Sequence, residues 1–126
     1  MKIIKTNEAP KAIGPYSQAI LVDKILFLSG QIALDPQTGK LQQGSIEVET
    51  ERILANIDAI LDEAGFRPQD VVKTTIFLTD MSFFGAVNRV YGAYFAPHKP
   101  ARATVEVQGL PLGARIEIEA VAIKNG

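Results

Sequence analysis

Across 126 residues the chain carries 13 lysines and arginines against 14 aspartates and glutamates, a formal net charge of −1, and no cysteine. With 47% of its residues hydrophobic, it is long enough for one domain with a real core, spanning residues 1–126, and too short for two. The charge balance excludes a global field that would hold it on nucleic acid or anionic lipid, and the missing thiols exclude disulfides, thiolate zinc sites and a cysteine nucleophile.

The N-terminal stretch MKIIKTNEAPKAIGPY contains no apolar run of signal-peptide length, and no segment approaches the ~20 apolar residues that span a bilayer. The expected location is cytoplasmic. Residues 3–5 suggest a short strand, and Asn7 to Pro15, with two prolines and a glycine, reads as a connecting loop. Tyr16 to Val22 and Ile25 to Leu28 are two apolar runs separated only by Asp23-Lys24, which predicts an antiparallel hairpin although Asp-Lys is not a favoured type I′ pair. Ser29-Gly30-Gln31 ends the second run, with a glycine where the backbone can bend or approach a ligand. Asp35 to Gly44 is a turn-rich excursion.

The first helix is expected from Glu47 to Ala64, with Ile53, Ile57, Ile60, Leu61 and Ala64 on one stripe and Gly65 at its end. Val71 to Leu78 is β-branched and aromatic enough to be a strand. A second helix follows, capped by Asp80 or Ser82, with Phe84, Val87, Tyr91, Tyr94 and Phe95 inward and the polar Asn88 on the same stripe. Pro97 closes it. Two alternating strands finish the chain, PARATVEV at 100–107 and RIEIEAVAIKNG from Arg115.

The order implies an α+β, two-layer sandwich with two helices packed on one face of a mixed sheet. Along the last two strands one parity is apolar, whereas the other mixes Arg102, Thr104, Glu106, Glu117 and Glu119 with Val121 and Ile123. A second face that is partly apolar predicts cover by another copy of the chain, with Arg102 and Glu117 together in the cleft so formed.

Arg102 begins a strand after Pro-Ala, a rigid mount for a planar guanidinium that suits a carboxylate ligand; its bland alternative is an ion pair with Glu106 or Glu117. Glu117 beside apolar residues has an adjustable proton affinity and can orient or activate a water, with Glu119 the confusable neighbour. Tyr16, Ser29, Asn88 and Thr104 are candidates for a polar lining. His98 is the sole histidine, so neither a histidine metal cluster nor an intrachain Ser-His dyad finds support, and no phosphate-cradling glycine motif occurs.

Seven segments, IGPYSQA, LSGQI, NIDAILDEAG, VVKTTIFLTDM, AVNRVYGAYF, PARATVEV and IEIEAVA, together resemble the RidA family, also called YjgF, almost end to end. The resemblance implies a chorismate-mutase-like fold assembled as a homotrimer, with clefts at the subunit interfaces. It implies hydrolysis of 2-iminobutanoate and 2-iminopropanoate, released as enamines by pyridoxal-phosphate-dependent dehydratases, to 2-oxo acids and ammonia, with no metal or organic cofactor. By position, Arg102 matches the family residue that binds the substrate carboxylate, and Glu117 the one that positions the attacking water. Tyr16, Ser29, Gly30 and Asn88 match lining positions, and Thr104 stands where many members have cysteine. The expected partners are therefore small imino and 2-oxo acids and further copies of the chain, not membrane or nucleic acid. Two other readings compete: an RNA-binding, endoribonuclease-type translation inhibitor, and a non-catalytic module or chaperone that holds 2-oxo acids.

Overall fold

The computed structural model describes residues 1–125. Its elements run β1 (Lys2–Ile4), β2 (Ala19–Val22), β3 (Ile25–Gln31), α1 (Ile46–Ala64), β4 (Val71–Leu78), α2 (Phe84–Phe95), β5 (Ala101–Glu106) and β6 (Ile116–Ile123). The strands form one mixed sheet in the order β1-β2-β3-β6-β4-β5. All neighbours are antiparallel except β4 and β5, which α2 joins by the helical crossover that a parallel pair requires.

Local chemistry explains most of the boundaries. The β2–β3 hairpin turns on Asp23 at φ 53°, a left-handed conformation that aspartate tolerates. Ser45 caps α1 by accepting a hydrogen bond from the Val48 amide at 3.1 Å, and Gly65 at φ 79° ends it in the left-handed conformation. A 3₁₀ turn over Met81–Phe83, capped by Asp80, leads into α2. One difference from the sequence pattern lies at Tyr16–Gln18, which stays outside the ladder and bends at Gln18, so β2 begins only at Ala19. Gln18 spends its side chain on the preceding loop, as described below.

Both helices cover one face of the sheet. Ile53, Ile57, Ile60 and Leu61 of α1 and Val87 and Phe95 of α2 are fully buried against Leu26, Ile76, Ile118 and Ala122. Each buried aliphatic side chain stabilises the fold by about 1.5–3 kcal/mol. The Tyr91 and Thr74 hydroxyls hydrogen-bond at 2.6 Å, which satisfies two buried polar groups within that core. Phe84, expected on the inward stripe, is 38% exposed because α2 begins beyond the edge of the core.

Register decides which face each candidate residue occupies. Phe77 is opposite both Glu117 and Val105, and Thr75 is opposite both Glu119 and Ala103, so these residues share the face away from the helices. Arg102 and Thr104 are opposite Thr74 and Ile76, on the helix side of edge strand β5. Charge parity along the strands predicts one cleft for Arg102 and Glu117. Within a single protomer they instead project to opposite sides of the sheet, because β5 runs parallel to β4 in a register that matches Arg102 with a core position. The face away from the helices is substantially apolar: Phe27 is 48% exposed, and Phe77, Val121 and Ile123 are only half-buried.

Candidate functional site

One half of the site lies on the face away from the helices. A cavity of about 470 Å³ is lined by Lys11, Tyr16, Ser29, Gly30, Glu117 and Glu119, with Ile13, Ile32, Leu34 and Pro111 as its apolar wall. Between Leu28 and Gln31 the β3–β6 register slips, so that Ser29 and Gly30 together oppose the single residue Glu119. This bulge brings bare backbone against the Glu117 side chain. A Cβ on residue 30 would fall 2.8 Å from Glu117 Cδ and closer still to Oε2, so only glycine admits the carboxylate in this pose. Glu117 is half-buried, and its proton affinity is raised first by desolvation and then by the neighbouring charge of Glu119.

The wall beside Glu117 is built by side-chain-to-backbone bonds. Ser29 Oγ donates to the Ser17 carbonyl at 2.5 Å and the Ser29 amide donates to the Gln18 carbonyl at 2.9 Å. The serine proton is thus committed, and its hydroxyl can offer a ligand only lone pairs. Buried Gln18 accepts from the Thr6 amide at 2.7 Å and donates to the carbonyls of Thr6 at 3.0 Å and Pro10 at 2.8 Å. These bonds fix the loop that delivers Tyr16, whose half-exposed ring reaches back so that its hydroxyl accepts from the Ile13 amide at 3.5 Å.

The other half lies at the β5 edge. The Arg102 guanidinium carbon stands 5.1 Å from the Tyr91 ring centre and 5.4 Å from that of Phe84, and Nη1 donates to Asn88 Oδ1 at 2.8 Å. Two aromatic faces and an amide therefore aim the fork while leaving most of its N–H donors unused. Among the described residues Arg102 has no carboxylate within ion-pair distance; Glu106, a sequence candidate for that pairing, instead accepts from the Met81 amide at 2.7 Å. Thr104 Oγ1, on the same face, is buried without a hydrogen-bond partner. His98 is remote in role: its Nε2 donates to the Val71 carbonyl at 2.6 Å. Among the described residues no cluster of three or more histidine, aspartate or glutamate side chains is arranged to hold a metal.

The structure thus sorts the candidates into two sets, Tyr16, Ser29, Gly30 and Glu117 on one face, and Asn88, Arg102 and Thr104 at the edge of the other. The profile of the family described as endoribonuclease L-PSP matches residues 6–124. The chain belongs to that family. It is 50% identical over 124 residues to the human protein named 2-iminobutanoate/2-iminopropanoate deaminase, covering 98% of this chain and 90% of that one. It is equally identical to a RutC family protein of Pyrococcus abyssi, with 98% of both chains covered. Escherichia coli TdcF, solved with bound serine, superposes with a TM-score of 0.95 at 39% identity, covering 99% of this chain and all of TdcF.

For this endoribonuclease L-PSP, or RidA/YjgF, chain, sequence reasoning missed the residues that hold the candidates in place. Phe84 and Tyr91 read as core positions, yet both also face Arg102. Lys11 and Gln18 lie either side of Gly14-Pro15, and nothing in their spacing shows that a glutamine side chain pins that loop or that a lysine lines the cavity.

Proposed function

We propose that the chain is an imine deaminase that hydrolyses 2-iminobutanoate and 2-iminopropanoate at a site shared by two copies. Arg102 of one copy grips the substrate carboxylate through its free N–H donors. That grip sets the imine carbon over Glu117 of the neighbouring copy, turning an encounter into an oriented reaction. Glu117, as carboxylate, accepts a proton from a water whose oxygen adds to the imine carbon. The proton passes to nitrogen, the carbinolamine collapses, the C–N bond breaks, and ammonia and the 2-oxo acid leave. Ser29 Oγ, its own proton committed, accepts a hydrogen bond from the substrate N–H. No metal or organic cofactor takes part, and a homotrimer is the assembly the family resemblance implies.

The main support is geometric: an aimed, unpaired guanidinium and a half-buried carboxylate stand on opposite faces of one sheet, so only a second copy can bring them together. Roughly 50% identity to a deaminase across nearly the whole chain supports the chemistry. Subunit mixing tests both parts. Arg102→Ala and Glu117→Gln should each lose at least ten-fold in 2-iminopropanoate hydrolysis, followed as pyruvate released in excess of the unaided rate. Unfolding and refolding the two together in equal amounts should restore about a quarter of wild-type activity, because about a quarter of sites then draw each residue from an intact donor. No recovery in well-folded mixed oligomers would place the two residues in separate roles.

The family description favours a second reading, cleavage of RNA. A net charge of −1 gives it little phosphate attraction. Binding of single-stranded RNA by nuclease-free protein that weakens steeply with added salt would bring it forward.

A further inference from the structure

We infer that Lys11 extends this site's substrate range to imino acids carrying a second carboxylate. The inference rests on the deaminase reading above. With its α-carboxylate on Arg102 and its imine carbon at Glu117, a substrate must send its side chain into the remainder of the 470 Å³ cavity. On one copy that volume lies within the roughly 300–1,000 Å³ of ligand cavities, and the second copy that supplies Arg102 closes over part of it.

The cavity has two kinds of wall. One is apolar, and the other is made of Lys11, Tyr16 and Gln18, which also line a second cavity of about 260 Å³ together with Lys5, Thr6 and Asn7. Lys11 therefore stands where the two spaces meet. It is not on a loose loop, because Gln18 binds the carbonyls of Thr6 and of Pro10, the residue immediately before it. Among the described residues neither Lys5 nor Lys11 has a carboxylate within ion-pair distance, although Lys5 shares a shallow hollow with Glu8 and Glu63 that draws part of its field.

Charge balance makes the choice of ligand. Glu117 and Glu119 already line the main cavity, so a substrate bearing a distal carboxylate would be repelled unless a cation faced it from the far wall. Lys11 is the one cation among the residues lining that cavity, and the adjoining space that shares it, walled by Ile3, Ile4 and Ala12 as well as Lys5, Thr6 and Asn7, offers the anionic end a second lysine and hydrogen-bonding groups. Reaction balance is unchanged: water oxygen adds to the imine carbon, and nitrogen departs as ammonia.

The test compares iminosuccinate, formed in place from aspartate by an aspartate oxidase, with 2-iminopropanoate, using wild type, Lys11→Met and Lys11→Arg. Wild type should accelerate both. Lys11→Met should lower the ratio of kcat/KM for iminosuccinate to that for 2-iminopropanoate about ten-fold, Lys11→Arg should restore most of it, and added salt should shrink the difference. In equilibrium binding, succinate should compete more strongly than butanoate with wild type but not with Lys11→Met. Acceleration of 2-iminopropanoate with none of iminosuccinate, or an unchanged ratio in Lys11→Met, would overturn the role of Lys11 and leave the deaminase reading standing. Acceleration of neither substrate would overturn both.

Discussion

Gly30 and Glu117 form a pair in which one residue exists to make room for the other. Gly30 has no positive φ to demand glycine, and the three atoms an alanine Cβ would meet first all belong to the Glu117 side chain, whose flexible end can swing away. Gly30→Ala should therefore cost at least ten-fold in kcat while the melting temperature barely moves; an equal loss of both would mean that the backbone, not the carboxylate, is displaced. The raised proton affinity of Glu117 sets a second expectation. If its carboxylate accepts the water's proton, kcat/KM falls as pH drops through a pKa above the usual glutamate range. Glu119→Gln removes the lesser of the two causes, so the acid limb should shift to lower pH; a limb that stays put would show that desolvation acts alone. The stability effect has the opposite sign from an ordinary paired carboxylate. The folded state holds the Glu117 proton more tightly than the unfolded chain, so stability is lost as pH rises between the unfolded and folded pKa values, and Glu117→Gln should melt no lower than wild type at neutral pH.

At the scale of the element, the apolar cavity wall depends on a residue of α1. Asn56 is fully buried, donates to the carbonyls of Leu34 at 2.9 Å and Ile32 at 3.4 Å, and accepts from Arg52 Nη2 at 2.9 Å. Asn56→Leu leaves the Leu34 carbonyl unpaired in the interior, whereas the Ile32 carbonyl keeps the Leu34 amide at 2.7 Å, and it should cost about 1–3 kcal/mol in urea unfolding. It should also raise KM, since the segment it holds lines the cavity; a stability loss with KM unchanged would separate the two effects. Elements of this kind were largely legible in the sequence. The 3.6-residue stripe of α1, the Gly65 stop, the β-branched run of β4 and the alternation of β6 each follow from local pattern. Asn56 was not legible, because its partners lie more than 20 residues away on a segment with no periodicity. The grouping of Arg102 with Glu117 on one face failed for a related reason. Alternation shows which residues of a strand share a face, but only register and strand direction show which face that is. Residue chemistry nominated Arg102, Glu117, Tyr16, Ser29, Asn88 and Thr104, and the family resemblance assigned their roles; nothing in their spacing reveals that they divide between two sides of a sheet.

At the scale of the molecule, the apolar face away from the helices is the surface on which a second copy is expected. Phe27→Lys places a charge on that face without touching the helix-side core. It should yield a smaller species by sedimentation, with helical circular dichroism retained and hydrolysis lost; an oligomer that stays intact and active would mean that copies meet elsewhere. The position of β6 has a further consequence, for how the protein comes into being. It is the last strand along the described chain yet lies in the middle of the sheet, between β3 and β4. Until it has left the ribosome, β3 and β4 each present an unpaired inner edge able to recruit a foreign strand. Glu117 rides on that strand, so the nascent chain gains its candidate catalytic carboxylate in the same event that closes its sheet. A product truncated before Ile116 has neither a closed sheet nor the candidate carboxylate, which makes incomplete synthesis a hazard of aggregation rather than a source of partial activity.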